Sequence, residues 1–234
     1  MGCLLKANGL YSRMTVGAVL LAAGAGRRLG GRPKALLQLA GVPLVMRQLV
    51  ALSGAGVDEV AVVLGHHAEA VEAAIGPFPI TLVRNPAPDD GQASSVRLGL
   101  AALSPKLDAI IVAPADMPLI DAQDIVALIG AYRKRGEASM VVPRVSVAGA
   151  PGSEALPGNP VMFDAALREA WLAGRADLAC RRWRDEHPEQ VRWFETDNRR
   201  YRVDIDTPAD LEAFAASTGH RLAWPTDLVR ETTT

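Results

Sequence analysis

Leu20 to Lys34 reads LLAAGAGRRLGGRPK, and the reading of this stretch decides the fold. Val16–Ala22, which leads into it, is a short aliphatic run of the kind buried on both faces of a parallel sheet. Four glycines follow, Gly24, Gly26, Gly30 and Gly31. They let the backbone approach a ligand closely and present its N–H groups. Arg27, Arg28, Arg32 and Lys34 place four cations within eight residues, and no acid stands between Leu20 and Lys34. Backbone donors with that much positive charge suit a polyphosphate; the plainer alternative is a solvated basic turn. A loop after a first strand lies at a carboxyl end of the sheet, where open α/β sheets bind ligands.

Outward from this loop, short apolar runs alternate with longer stretches at helical spacing. Strands are expected at Val16–Ala22, Glu59–Leu64, Ile80–Val83, Ala109–Ala113 and Ala138–Val142. Helices are expected near Leu44–Gly54, Ala68–Ile75, Ser94–Leu103 and Ala122–Lys134. Val45, Leu49 and Leu52 recur every three to four residues and build one apolar face. Strand, helix, strand in repetition points to βαβ units and a parallel sheet. The second half is less regular. Arg144–Asn159, rich in Gly, Pro, Ala and Ser, reads as a mobile surface loop. After it come a short strand at Val161–Phe163, helical stretches near Asp164–Ala173 and Asp177–His187, a strand at Val191–Glu195 and a last helix from Pro208. Thr207 before Pro208, with Asp210 in the first turn, is a good N-terminal cap.

The 234 residues, 49% hydrophobic and 22% charged, have the composition of an ordinary soluble globular chain with one sizeable core. That excludes a disordered, collagenous or repeat-dominated protein. The formal net charge of −1 gives no overall field for nucleic acid or anionic lipid, so neither nucleic acid nor membrane is expected as a partner. Cys3 and Cys180 are too few for a disulfide framework and lack metal-ligand spacing. They read as incidental thiols of a reducing compartment. His66, His67, His187 and His220 form no zinc-binding pattern. No apolar run spans a bilayer, and Val16–Ala25 has the length of a signal-peptide core but reads better as a buried strand. A cytoplasmic protein is expected. Residues 1–14 read as a leader without order, with Met14 a second possible start, followed by one domain over 15–219 and a tail over 220–234.

Common nucleotide loops fit poorly. Gly31 is followed by Arg32-Pro33-Lys34 where a Walker A loop needs Gly-Lys-Ser/Thr. Leu29 stands where a dinucleotide GxGxxG needs glycine, and the second strand ends in Leu64-Gly65 with no acid for a ribose.

LAAGAGRRLGGRPKALLQLAGVPL, Leu21 to Leu44, resembles the signature LAAGxGxRMGxxK…GxPL of the MobA-like nucleotidyltransferases, and within them most resembles the molybdenum cofactor cytidylyltransferases. The similarity runs from Val16 to about Phe214. It implies an α/β fold with a Rossmann-like, doubly wound, mostly parallel sheet in a single GT-A-like nucleotidyltransferase domain. The nucleotide would lie against Leu21, Ala22, Ala23, Gly24, Gly26, Arg28, Lys34 and Asp116. Leu29 replaces a frequent methionine, a volume-conserving change.

Further stretches carry the same resemblance. Asn85-Pro86 with Gly91-Gln92-Ala93-Ser94-Ser95-Val96-Arg97 is similar to the family's NP…GxxxSLxxGL segment and puts Gly91 and Ser95 beside the nucleotide. Gly91 and the serines can also open a helix whose N–H groups and hydroxyls face a ligand, or simply cap it. Ala113-Pro114-Ala115-Asp116-Met117-Pro118 resembles the ADMP motif. A carboxylate there suits Mg²⁺, which takes hard oxygen ligands together with substrate phosphates; a turn former is the plainer reading. Val203 to Asp210 is similar to DIDTPEDL, which makes Asp206 the second metal-proximal carboxylate, with helix capping as its alternative. Asp204 and Asp206 share a face if the segment is extended. Pro157-Gly158-Asn159-Pro160-Val161 matches a segment on the acceptor side, with Asn159 where histidine is common, so Gly158, Asn159 and Pro160 are acceptor-binding candidates. Trp171, Trp183 and Trp193 suit either pterin stacking or the core.

The resemblance implies Arg28, Lys34 and Asp116 as catalytic residues, Asp116 and Asp206 as Mg²⁺ ligands, CTP as nucleotide and molybdopterin as phosphorylated acceptor. A molybdoenzyme or its maturation chaperone would receive the product. A guanylyltransferase, a cytidylyltransferase acting on a sugar or polyol phosphate, a non-catalytic binder and an NAD(P) oxidoreductase are the competing readings.

Overall fold

The computed structural model describes residues 4–7, 10–146, 155–174 and 179–226. In chain order the elements are β1 (Leu4–Ala7), β2 (Leu10–Arg13), β3 (Val16–Ala22), β4 (Gln38–Leu39), β5 (Val42–Pro43), α1 (Leu44–Gly54), β6 (Glu59–Leu64), α2 (Ala68–Ile75), β7 (Thr81–Arg84), α3 (Gln92–Ala102), β8 (Ala109–Pro114), α4 (Ala122–Arg133) and β9 (Met140–Val145). Then follow β10 (Leu156–Pro157), β11 (Val161–Asp164), α5 (Leu167–Ala173), α6 (Cys180–Glu186), β12 (Val191–Thr196), α7 (Pro208–Thr218) and β13 (Leu222–Ala223).

β3 is the central strand of a parallel unit. It pairs with β6 on one side and β8 on the other, and β6 pairs with β7, all parallel. The sheet continues from β8 through β11, antiparallel to both β8 and β9, and closes with β12 parallel to β9. The result is the mostly parallel α/β sheet that the sequence pattern implies, with β11 and the short β10 as the reversed strands. Because β6 and β8 lie on opposite sides of β3, the order reverses there, and the carboxyl ends of β3 and β8 border a crevice open to a ligand.

Side-chain alternation along β3 serves both faces. Val16, Ala18 and Leu20 point into one apolar layer with α1 and α4 residues such as Val45, Leu49, Ile125 and Leu128. Val19 points into the other, with Val96 and Leu100 of α3 and with Phe163, Trp171 and Trp183. Helices on both faces explain why β3, β6 and β8 read as continuous apolar runs. Trp171 is fully buried and Trp183 nearly so, which settles these two as core residues.

The structure departs from the sequence expectations at the edges. β9 extends to Val145, and its last two residues pair with β10, so both ends of the expected loop Arg144–Asn159 are strands. Residues 147–154 lie outside the described residues, as do Asp177 and Leu178 of an expected helix. Backbone pairing extends into the leader expected to lack order, where β1 and β2 form a separate antiparallel ribbon. Within the expected tail, β13 adds to β4, and β4 to β5. These strands are two residues long, too short to show a period of two. No helix among the described residues is long and apolar enough to cross a membrane.

Candidate active site

A chain of backbone hydrogen bonds ties the carboxyl ends of the strands together. Ala115 N–H donates to Leu21 O (3.0 Å), Asn85 N–H to Leu64 O (2.7 Å), and Ile205 N–H to Asp116 O (3.1 Å). The glycine loop, the end of β8 and the segment before α7 therefore form one rim. Gly26 folds the loop on itself: its carbonyl accepts from Leu29 N–H (2.8 Å) and Gly31 N–H (3.0 Å). Its φ of +61°, with space for a Cβ only 1.9 Å from Arg32 O, admits no other residue without rearrangement.

The rim encloses a cleft of about 800 Å³ lined by Leu21, Ala22, Ala23, Gly24, Lys34, Gly91, Ser95 and Asp116 together with Pro33, Ala35, Pro88, Gln92, Pro114 and Ala115. Eight of the ten expected nucleotide-side residues thus line one cleft. Gly26 shapes the loop from outside that lining, and Arg28 reaches the site through Asp206.

At the floor, Lys34 Nζ donates to Asp116 Oδ2 and to Asp206 Oδ1, both at 2.5 Å. Arg28 Nη2 donates to Asp206 Oδ2 at 2.6 Å. Lys34 and Asp116 are largely covered, at 17% and 18% side-chain exposure, whereas Arg28 is exposed. Burial alone pulls the Lys34 ammonium downward, but the Asp116 charge and the hydrogen bonds to both carboxylates outweigh it and hold its pKa above the ordinary lysine value. Burial pushes Asp206 up, yet the Lys34 hydrogen bond and charge, aided by Arg28, hold it below the usual carboxylate range. Asp204 goes the other way, raised first by burial and then by the charges of Asp116 and Asp206. Its position follows from an extended segment in which Ile205 is fully buried between the two acids.

Local structure fixes each carboxylate. The Thr207 and Asp210 side chains form a capping box at the start of α7, and Asp210 Oδ2 also accepts from Asp206 N–H at 3.0 Å. Capping and site chemistry are thus compatible for the Asp206 segment: the box belongs to Thr207 and Asp210, which leaves the Asp206 carboxylate for the cleft. Asp116 follows β8 directly. Gly91, at φ +96° and ψ 172°, precedes α3 in a conformation that essentially only glycine adopts. Ser95 lines the cleft, while its hydroxyl and that of Ser94 are held by Asn85. Asn85 Nδ2 donates to both Ser94 Oγ and Ser95 Oγ at 2.9 Å, and Ser95 lies within α3. Arg27 and His66 both engage Asp89, at 2.7 and 3.0 Å, and so pin the loop to the turn before α3.

A second cavity of about 1110 Å³ adjoins the first through Leu21, Gln92 and Pro114 and contains Gly158 and Asn159. Pro160, the remaining acceptor candidate, follows a cis peptide bond and is not part of the lining. Arg181, Arg184 and Arg202 also line this cavity. The sequence reading missed them because separate arginines on α6 and in the turn before α7 form no motif.

A Rossmann-like sheet with a glycine loop at its switch point, and a lysine held between two carboxylates beneath it, defines a nucleotidyltransferase that uses a nucleoside triphosphate. Residues 18–191 match the MobA-like NTP transferase domain, and the chain belongs to that family. It is 36% identical over 160 residues to nicotine blue oxidoreductase of Paenarthrobacter nicotinovorans, covering 66% of this chain and 74% of that one. Among solved structures it is similar to a nucleotidyl transferase from Methanothermobacter thermautotroptrophicus, with a TM-score of 0.67 and 26% identity over 87% of this chain and 97% of the other. The fold is also that of Rv0371c from Mycobacterium tuberculosis H37Rv in complex with manganese, with a TM-score of 0.64 and 22% identity over 88% of this chain and all of the other.

Proposed function

We propose that the chain transfers CMP from CTP, with Mg²⁺, to a phosphorylated acceptor, with molybdopterin as the acceptor that the sequence resemblance favours. The observation that carries this reading is the convergence of Asp116 and Asp206 on the Lys34 ammonium beneath the glycine loop. In the reaction an acceptor phosphate oxygen attacks the α-phosphorus of CTP. A P–O–P bond forms, the bond from the α-phosphorus to the α,β-bridging oxygen breaks, and pyrophosphate leaves with the bonding electrons. The attacking oxygen is already anionic, so no strong general base is needed, and catalysis rests on positioning and charge neutralisation.

Two carboxylates that converge on one cation, without sulfur or imidazole, are the hard-oxygen donors that Mg²⁺ or Mn²⁺ takes. Asp116 and Asp206 would hold such an ion, which supplies Lewis-acid screening of the phosphates when bound. Lys34 supplies a mobile positive charge that can pass from the carboxylates to the triphosphate. Arg28, exposed at the mouth, is placed to meet phosphate charge as it enters. The backbone of Leu21–Gly24 contributes close approach without bulk.

Calorimetric titration of CTP, GTP and ATP with Mg²⁺ tests the reading, with pyrophosphate release on adding molybdopterin as the second step. Tight binding of CTP, lost in Lys34→Met, is the expected result; preference for GTP would move the product to the guanine form. A redox function is the second reading, favoured by the 36% identity to an oxidoreductase. In that case the cleft would take a dinucleotide, and NADPH would bind where CTP does not. The end of β6 at Leu64, followed by Gly65, lacks the acid that recognises a dinucleotide ribose.

A further inference from the structure

We propose that the acceptor carries a second oxyanion besides its reacting phosphate, and that Arg181 and Arg202, supported by Arg184, receive it in the cavity beside the nucleotide cleft. The proposal rests on the nucleotidyl-transfer reading, since it assigns that cavity to the acceptor, but not on molybdopterin, whose single phosphate is the reacting one: a phosphate or carboxylate held there calls for a different phosphorylated acceptor. The two hollows share Leu21, Gln92 and Pro114, so one molecule can reach from one into the other. The reacting phosphate must come within bonding reach of the α-phosphorus of CTP, so it belongs in the first cleft with the triphosphate that Lys34 and Arg28 meet. Three guanidiniums on the far side of Pro114 therefore answer to another group.

The charge balance of the second cavity supports this. Among the described residues its lining holds three arginines and no acid. Arg184 is paired with Asp185 at 2.7 Å and lies 6.0 Å above the Trp193 ring. Arg202 Nη1 donates to Pro157 O at 2.8 Å, a neutral acceptor that orients the guanidinium and leaves its charge uncompensated. Arg181 has no carboxylate within ion-pair distance among the described residues. Arg181 and Arg202 are exposed at the mouth of the hollow and Arg184 is half-buried, and like charges gathered at one opening add to one another's field and repel until an anion enters. Guanidiniums also match oxyanions through paired hydrogen bonds. Among the described residues no aromatic ring lines the cavity, and Trp171 and Trp183 are committed to the core. Recognition there is by charge and by guanidinium planes.

The test uses the full chain labelled with ¹⁵N-arginine and inorganic phosphate as the probe, with the Nε–Hε signals of the arginines as readout. Phosphate should shift the Arg181 and Arg202 signals saturably in the wild type and in Lys34→Met alike. The double variant Arg181→Gln/Arg202→Gln should weaken that binding by about tenfold or more, while its affinity for CTP with Mg²⁺ stays within about twofold. Arg181→Lys/Arg202→Lys should recover part of the loss, which separates charge from folding. A parallel acetate titration tells a carboxylate from a phosphate-type group, and saturation by either supports the assignment. Shifts confined to Arg28, undiminished phosphate binding in the double glutamine variant, or no saturable shift with either anion would overturn it. If phosphate fills the cavity but the wild type binds no CTP, the nucleotidyltransferase reading fails instead.

Discussion

Replacing Lys34 by methionine removes the one positive charge that Asp116 and Asp206 share. Both carboxylate oxygens lie 2.5 Å from Nζ, so they are at most about 5 Å apart. At that distance two unit charges in a medium of effective dielectric about 20 repel by about 3 kcal/mol. The variant must relieve this repulsion by protonating a carboxylate or by taking up a cation. If the two acids form the divalent-ion site, the second route dominates near neutral pH. Loss of the competing ammonium should then tighten Mn²⁺ binding to the nucleotide-free protein by at least about tenfold, or about 1.4 kcal/mol. Transfer activity should fall by about 100-fold or more, because the triphosphate loses its mobile cation. Mn²⁺ binding followed by electron paramagnetic resonance, on wild type and variant at equal ionic strength, reads the first effect, and pyrophosphate release reads the second. Unchanged or weaker Mn²⁺ affinity in Lys34→Met would refute the assignment of Asp116 and Asp206 as a cation pair, whatever the activity does.

Three other outcomes follow from the geometry. Gly26→Ala forces a left-handed backbone at about 1–2 kcal/mol and a Cβ onto Arg32 O. Nucleotide affinity should drop about tenfold or more and the melting temperature should fall by several degrees, and an unaffected affinity would mean that the loop does not shape the cleft. Asp121 caps α4 by accepting from Gln123 and Asp124 N–H. Burial pushes its carboxyl up, but these bonds and Arg200 outweigh it and hold the pKa below the ordinary value. A depressed folded pKa adds stability that is present above the unfolded value, near 3.9, and is lost as pH falls through the folded one. Asp121→Ala should therefore cost about 1 kcal/mol at neutral pH and progressively less below about pH 4; denaturant melts showing one constant penalty across that range would count against the capping account. Trp171 is fully buried, 4.5 Å from Phe163 between ring centroids, and its Nε1 lacks a hydrogen-bond partner. Trp171→Ala should cost about 3–5 kcal/mol, whereas Trp171→Phe, which removes an unsatisfied N–H, should cost less than about 1.5 kcal/mol by urea denaturation. A Phe variant as damaged as Ala would point to a partner for that N–H.

What was legible in the sequence is what local chemistry dictates. The run Val16–Ala22 needed only its burial pattern, the loop after it only its glycines and cations, and the α7 cap only Thr207, Pro208 and Asp210. Their assembly is also readable, because βαβ connections return each chain segment to the same edge of the sheet. That brings Lys34 and Asp116 within reach across 82 residues; Asp206, 172 residues from Lys34, is brought in instead by the backbone bond from Ile205 to Asp116. β11 shows where this logic stops. Val161–Phe163 announces a strand but not its direction, which depends on insertion between β8 and β9. β4, β5 and β13 are paired by neighbours distant in sequence, and a two-residue strand carries no period of its own.

The same distinction separates the two halves of the site. The nucleotide side is built from contiguous segments, each at the end of a strand, so its residues come as motifs. The second cavity, proposed as the acceptor side, is built from α6, the turn before α7 and the Pro157–Asn159 segment, which meet because β9 pairs with β10 and β11 along one edge and with β12 along the other. Arg181 and Arg184 on α6 and Arg202 before α7 form no motif across that sequence gap. Their common field arises only in three dimensions, where the path from Leu21 across Pro114 leads from one set of cations to the next. A scaffold arranged in this way can hold the triphosphate chemistry constant in its strand-end motifs and vary the acceptor through scattered single residues, so in this chain acceptor identity is to be sought in the charges of the second cavity.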